Sequence, residues 1–171
     1  GVMVIHTREG HRPDLSDCPP AKLRRGAPSK RIGDEGKYGR ILIRGEYGHD
    51  IVDELAPVAG EVVIDKPGKG AFYATELSEL LTAAGITQLL VTGVTTEVCV
   101  HTTTREANDR GYECLILSDC TGATDRKHHE AALSMVTMQG GVFGATANSD
   151  DLLAALGTTV PAAAGPRART E

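Results

Sequence analysis

Cys99 stands in the run VTGVTTEVCVHTTTREANDRG, residues 91–111, where an apolar strand pattern passes through a small polar turn into a helical one. With Thr95 or Thr96 as the cap, the cysteine falls in the first helical turn. Unpaired backbone N–H groups and the helix dipole there favour an anion, so the thiol can be held as a thiolate nucleophile. A cysteine in EVCVHT can also pack against a sheet as a small apolar residue. Lys66 tilts the balance towards chemistry. It ends the strand-like run EVVIDK just before PGKG, which sets its ammonium at the carboxyl edge of a sheet, beside the turn that carries Cys99. A lysine there is costly to bury unless it faces a cleft or a partner, although one at a strand end can also snorkel to solvent. Asp65 points to the opposite face. Lys69, flanked by glycines, has a head that can reach a ligand carbonyl.

The elements that must position these groups alternate in kind. VMVIHT, RILIRG, EVVIDK, QLLVTGV, ECLILSDC and VFGAT read as strands, rich in β-branched residues. DIVDELAP is a short helical turn. ATELSELLTAAG reads as an amphipathic helix with Thr75 at its N-cap and Gly85 at its end. TTEVCVHTTTREANDRG, DRKHHEAALSMVTMQGG and SDDLLAALG read as further helices. The polar stretch from Arg8 to about Lys37 lacks periodicity and is long enough to be a functional loop. Alternating strands and helices imply right-handed βαβ units, a mainly parallel sheet with helices on both faces, and chemistry gathered at the carboxyl ends of the strands.

The composition is that of an ordinary globular protein, with 171 residues, 40% apolar and 24% charged, enough for one domain with a real core. The net charge of −5 gives no general polyanion-binding surface, so nucleic acid and anionic membranes are poor partners. Apolar runs stop short of a membrane span and no signal segment opens the chain. Cys18, Cys99, Cys114 and Cys120 show no C-x-x-C and no zinc spacing, and read as reduced thiols in the cytoplasm. His6, His11 and Asp14 are expected as polar loop residues rather than metal ligands.

DKPGKGAFYATELSELL followed by VTGVTTEVCVHTTTREANDRGYECLILSDCTGA resembles the isochorismatase-like cysteine hydrolases over nearly all of residues 1–157. The lysine before a small-residue turn, AF and a capping threonine is specific in combination, as is G-V-T-T-x-x-C-V. HTREGHRPDL, DKPGKG, REANDRGYECL and MQGGVFG are similar to the biuret amidohydrolase branch and the closely related ureide hydrolases. The resemblance implies a three-layer α/β/α fold and an Asp–Lys–Cys triad with Lys66 and Cys99 in the second and third roles. It also implies a non-proline cis peptide between Val94 and Thr95, with the Thr95 and Cys99 amides as an oxyanion hole. Lys69 and Gln139 would orient the substrate, although Gln139 can also be read as a polar cap on a helix end. The implied reaction converts biuret and water to allophanate and ammonia through a cysteine thioester, without a cofactor. The D-x-H…H metal cluster of the related nicotinamidases is not reproduced in HTREGHRPD. The family is usually oligomeric, so a homo-oligomer is expected.

In the family the aspartate comes from a first, central strand that precedes the segment matching GVMVIHT. Asp14 is expected in a loop, Asp65 faces away and Asp119 ends a later strand, so none of them fills its place. The sequence therefore reads as an N-terminally truncated domain over residues 1–157. It would lack a strand between those beginning at Val2 and Gln88, and would be catalytically crippled and marginally stable. Residues 158–171, rich in Pro, Ala and Arg, are expected to form a disordered tail. Ureidoacrylate, triuret or another N-carbamoyl compound fits the same triad, with Arg8, Arg12 and the KLRR cluster favouring a carboxylate-bearing substrate. A catalytically degenerate binding module is the remaining reading, against which the retained Lys66 and Cys99 weigh.

Overall fold

A computed structural model describes residues 1–157, so the tail expected over 158–171 lies outside the described residues. In chain order the elements are β1 (Ile5–Glu9), α1 (Pro20–Leu23), β2 (Glu35–Gly36), β3 (Gly39–Arg40) and β4 (Val62–Lys66). Then follow α2 (Leu77–Ala83), β5 (Gln88–Val94), a wide helical turn (Thr96–Val100), α3 (His101–Asp109), β6 (Glu113–Gly122), α4 (Arg126–Gly141), β7 (Ala145–Ala147) and α5 (Ser149–Ala155). Among the described residues, no helix is long and apolar enough to cross a membrane.

The strands form an α/β architecture with parallel pairing. β1 runs parallel to β4, from Ile5 opposite Val62 to Glu9 opposite Lys66. β6 runs parallel between β5 and β7. No ladder joins the two sheets among the described residues, but one apolar core does. Ile5, Val62 and Ile64 pack with Leu89 and Cys114 under Phe72, Leu77, Leu81 and Ala107. A second cluster sets Val91 and Ile116 against Val100, Leu133, Val136 and Phe143. Alternation along the strands puts Ile64, Leu89, Val91, Cys114 and Ile116 on this face, beneath α2, α3 and α4. The intervening Val63 and Leu90, 36% and 43% exposed, mark the opposite face.

The helix termini follow the local chemistry of the sequence. The N-cap position of α2 falls on Glu76, one residue past the expected Thr75, whose Oγ1 nonetheless accepts the Leu77 amide and donates to the Ala71 carbonyl. Gly85 closes α2 at a positive φ of 64°. Asp125 and Asn148 accept amides at the starts of α4 and α5. RILIRG does not form the strand expected of it. Gly39–Arg40 pairs in a short hairpin, Leu42 at φ 54° breaks the extended run, and Ile43 makes an isolated parallel bridge with His11. Ile43 is instead buried beside His11, whose amide and carbonyl bond to Leu42 O and Arg44 N. That clasp ties the long loop after β1 back to the body of the fold.

Candidate active site

The carboxyl ends of β1, β4 and β5 bring the candidate residues together. Lys66, the last residue of β4, is only 3% exposed. Its ammonium donates to the carbonyls of Gly68 (2.9 Å) and Lys69 (2.8 Å), so the PGKG turn wraps round it. That turn is fixed in turn by α3, where Thr103 Oγ1 accepts the Ala71 amide at 3.1 Å.

Cys99 is half-buried on the wide turn between β5 and α3. The β5–β6 register shifts between Val91 and Gly93, and Gly93 takes φ 103°, a conformation that suits glycine. The Val94–Thr95 peptide that follows is cis, as the resemblance implied. The Thr95 carbonyl accepts the Val98 and Val100 amides and so closes the turn. Neither threonine caps the helix by its side chain, contrary to expectation. The turn here is wider than an α-helical one, and the buried Thr96 hydroxyl is paired with His129 Nδ1 at 2.8 Å.

The group that joins Cys99 to Lys66 is Glu9, which sequence reasoning passed over. Its side chain is 7% exposed. Oε2 accepts the Cys99 thiol at 3.7 Å and lies 3.9 Å from Lys66 Nζ. Oε1 accepts Lys69 Nζ at 2.8 Å and lies 3.7 Å from Lys22 Nζ. The signal that finds it is parallel register: pairing IHTRE with VVIDK sets Glu9 beside Lys66 and Arg8 beside Asp65. Asp14 and Asp65 lie as expected, whereas Asp119 falls inside β6, which runs on to Gly122, rather than at a strand end. Asp14 accepts the Ser16 amide within its loop. Asp65 faces Arg8 and His49, and Asp119 accepts the Ser149 hydroxyl and amide.

Beside Lys69 and Lys22 lies a half-open hollow of ≈360 Å³, lined by Lys22, Arg25, Lys69, Asp17 and Tyr73 among others. Lys22 and Arg25 come from the KLRR cluster. Arg8, by contrast, is engaged by Asp65 and Asp50, and the hydrogen bond to Asp65 holds its guanidinium above its usual range in spite of partial burial. Gln139 is exposed at the break in α4, with φ 54°. No hydrogen bond or ion pair joins it to Cys99, Lys66 or Lys69 among the described residues. His6 pairs with Glu61 at 2.8 Å and His11 lies between Asp17 and Lys22, so they and Asp14 do not converge. Burial, reinforced by Lys22, holds the His11 imidazole below its ordinary range.

Comparison with known proteins gives this arrangement a context. A family model described as the isochorismatase domain matches residues 1–148. A ureidoacrylate amidohydrolase of Serratia proteamaculans is 42% identical over 83 residues, 48% of this chain and 34% of the relative. The match thus spans about a third of that relative's length. Among solved structures, a cysteine hydrolase from Pseudomonas syringae superposes with TM-score 0.76 at 27% identity, covering 90% of this chain and 71% of the other. An N-carbamoylsarcosine amidase from Thermoplasma acidophilum superposes with TM-score 0.65 at 26% identity, covering 88% and 74%.

Proposed function

We propose, from the premise that this chain belongs to the isochorismatase family, that it is a cysteine amidohydrolase acting on the C–N bond of a ureide. The observation that carries this reading is the meeting of Cys99 and Lys66 on one buried carboxylate, at 3.7 and 3.9 Å. A structural thiol has no need of such surroundings. The Cys99 thiolate attacks the carbamoyl carbon beside the Lys66 ammonium. The Thr95 and Cys99 amides receive the oxyanion. The C–N bond breaks, nitrogen leaves with a proton as ammonia, and water then hydrolyses the thioester and returns the thiol.

The substrate we favour is a ureide that bears a carboxylate, because Lys22, Arg25 and Lys69 line the hollow, and Lys69 is tied to the thiol through Glu9. The names of the ureidoacrylate and N-carbamoylsarcosine relatives agree with that choice. Biuret is the second reading. It is uncharged, and Asp17 in the same hollow suits its terminal NH₂ donors. Lys69 and Gln139 are retained as substrate-orienting residues only on the strength of the family likeness.

The aspartate that the likeness also implies would enter on a strand seated between β1 and β5, whose facing edges have no ladder partner among the described residues. The test is ammonia release from ureidoacrylate, biuret and triuret, with intact-mass detection of a carbamoyl adduct on Cys99. A substrate-dependent adduct that disappears in Cys99→Ala supports the reading. Release that survives Cys99→Ala, or the lack of both ammonia and adduct across the panel, overturns it.

A further inference from the structure

We infer that Glu9 is the proton acceptor of the Cys99 thiol and the residue that seats Lys69 at the mouth of the site. The inference rests on the reading of Cys99 as the nucleophile and adds a residue to it. A carboxylate that is 7% exposed is costly unless charges and hydrogen bonds compensate it. Glu9 has three ammonium groups within 4 Å, and its two oxygens divide them. Oε1 takes Lys69 at 2.8 Å and Lys22 at 3.7 Å. Oε2 has Lys66 at 3.9 Å, but that ammonium directs its hydrogen bonds to the carbonyls of Gly68 and Lys69. The donor left for Oε2 is the Cys99 S–H at 3.7 Å.

A proton passing from Sγ to Oε2 leaves a thiolate among three lysines and a neutral Glu9 acid. That acid then protonates the departing nitrogen when the C–N bond breaks. In the second half, water attacks the thioester and gives a proton to the Glu9 carboxylate, the C–S bond breaks, and the proton returns to sulfur. Atoms and charge balance at each step. The carboxylate also anchors Lys69, the residue shared by the thiol's surroundings and the basic hollow, so one group links nucleophile and substrate pocket.

The experiment compares the full chain with Glu9→Gln, Glu9→Asp and Cys99→Ala, after circular dichroism has shown equal folding. Cys99 alkylation by iodoacetamide is followed across pH by peptide mass, and ammonia release is measured in parallel. In Glu9→Gln the negative charge beside sulfur is gone while the lysines remain, so alkylation near neutral pH should rise by about tenfold. Ammonia release should fall about 100-fold in the same variant, and Glu9→Asp should recover part of it. A merely structural role would move both readouts the same way.

An alkylation profile unchanged in Glu9→Gln overturns the inference, whether or not the chain turns over a ureide. Undiminished ammonia release in Glu9→Gln, with Cys99→Ala silent, overturns it while the amidohydrolase reading stands. If the wild-type chain yields neither ammonia nor adduct, the amidohydrolase reading falls. The inference falls with it, and faster alkylation in Glu9→Gln would then show only that the Glu9 charge acts on the Cys99 thiol.

Discussion

Cys99 and Cys114 flank the same helix, α3, and differ in everything but residue type. Cys99 precedes α3 at the carboxyl end of β5, where its thiol meets Glu9 and, through it, Lys22, Lys66 and Lys69. Cys114 follows α3 near the start of β6, packed with Ile64, Phe72, Leu77 and Ala107. Among the described residues its S–H reaches only the Thr104 and Tyr112 carbonyls, at 3.9 Å, and burial pushes it up to about 11. The end of a strand that a thiol occupies thus decides what surrounds it. The amino end of β6 offers apolar side chains, while the carboxyl ends of β1, β4 and β5 offer charges whose backbones have run out of sheet to pair with.

The two sulfurs should differ most when each is removed in turn. Cys99→Ala should lower ureide turnover by about 10⁴-fold or more, whereas Cys114→Ala should leave kcat within about twofold and lower unfolding free energy by about 1–2 kcal/mol. Ammonia release and urea denaturation read the two effects, and a Cys114→Ala enzyme without activity would erase the distinction.

Lys66→Met comes next. It removes the buried ammonium and leaves the Gly68 and Lys69 carbonyls unpaired, and turnover should fall by about 100- to 1,000-fold. Retained turnover would show that the thiolate does not depend on this lysine. Without any mutation, iodoacetamide at neutral pH should label Cys99 about 100 times faster than Cys114. Equal labelling would mean that the two environments differ less than their geometry suggests.

The smallest effect concerns acid. Burial holds the imidazoles of His11, His49 and His101 below the ordinary value of 6.5. Between the folded and unfolded values the unfolded chain binds more protons, so stability rises with pH there. The contribution is complete above about 6.5 and is lost progressively as pH falls below it. Urea midpoints measured across that window test this, and a midpoint that rises on acidification would contradict it.

Much of this site can be read along the chain. GVTTEVC announces a turn after a buried strand, and EVVIDK before PGKG announces a lysine at a strand end. The structure puts both where the alternation of strands and helices requires. Asp65 was rightly set aside, because strand alternation turns it away from Lys66 and towards Arg8 and His49. RILIRG misled because its β-branched residues promise a strand, while Leu42 at positive φ and the clasp on His11 decide otherwise. The capping role of Thr96 was lost to His129, 33 positions away. A hydroxyl can be assigned by local propensity only until a better partner arrives from elsewhere in the fold.

From β4 onward the alternation of strands and helices is written in the sequence, and with it the placing of Lys66 at the end of β4 and of Cys99 on the turn that follows β5. Periodicity and turn chemistry act over a few residues, which is the distance over which a linear reading holds. Only the tertiary structure decided that Glu9, 90 positions from Cys99, carries the charge between them, and that Lys22 and Arg25 turn towards the same hollow. Nothing local distinguishes Glu9 from an ordinary charged residue at the end of a strand. Its role appears only when the register of β1 on β4 sets it opposite Lys66, because the cost of burying one charge is met by another that the chain brings from far away.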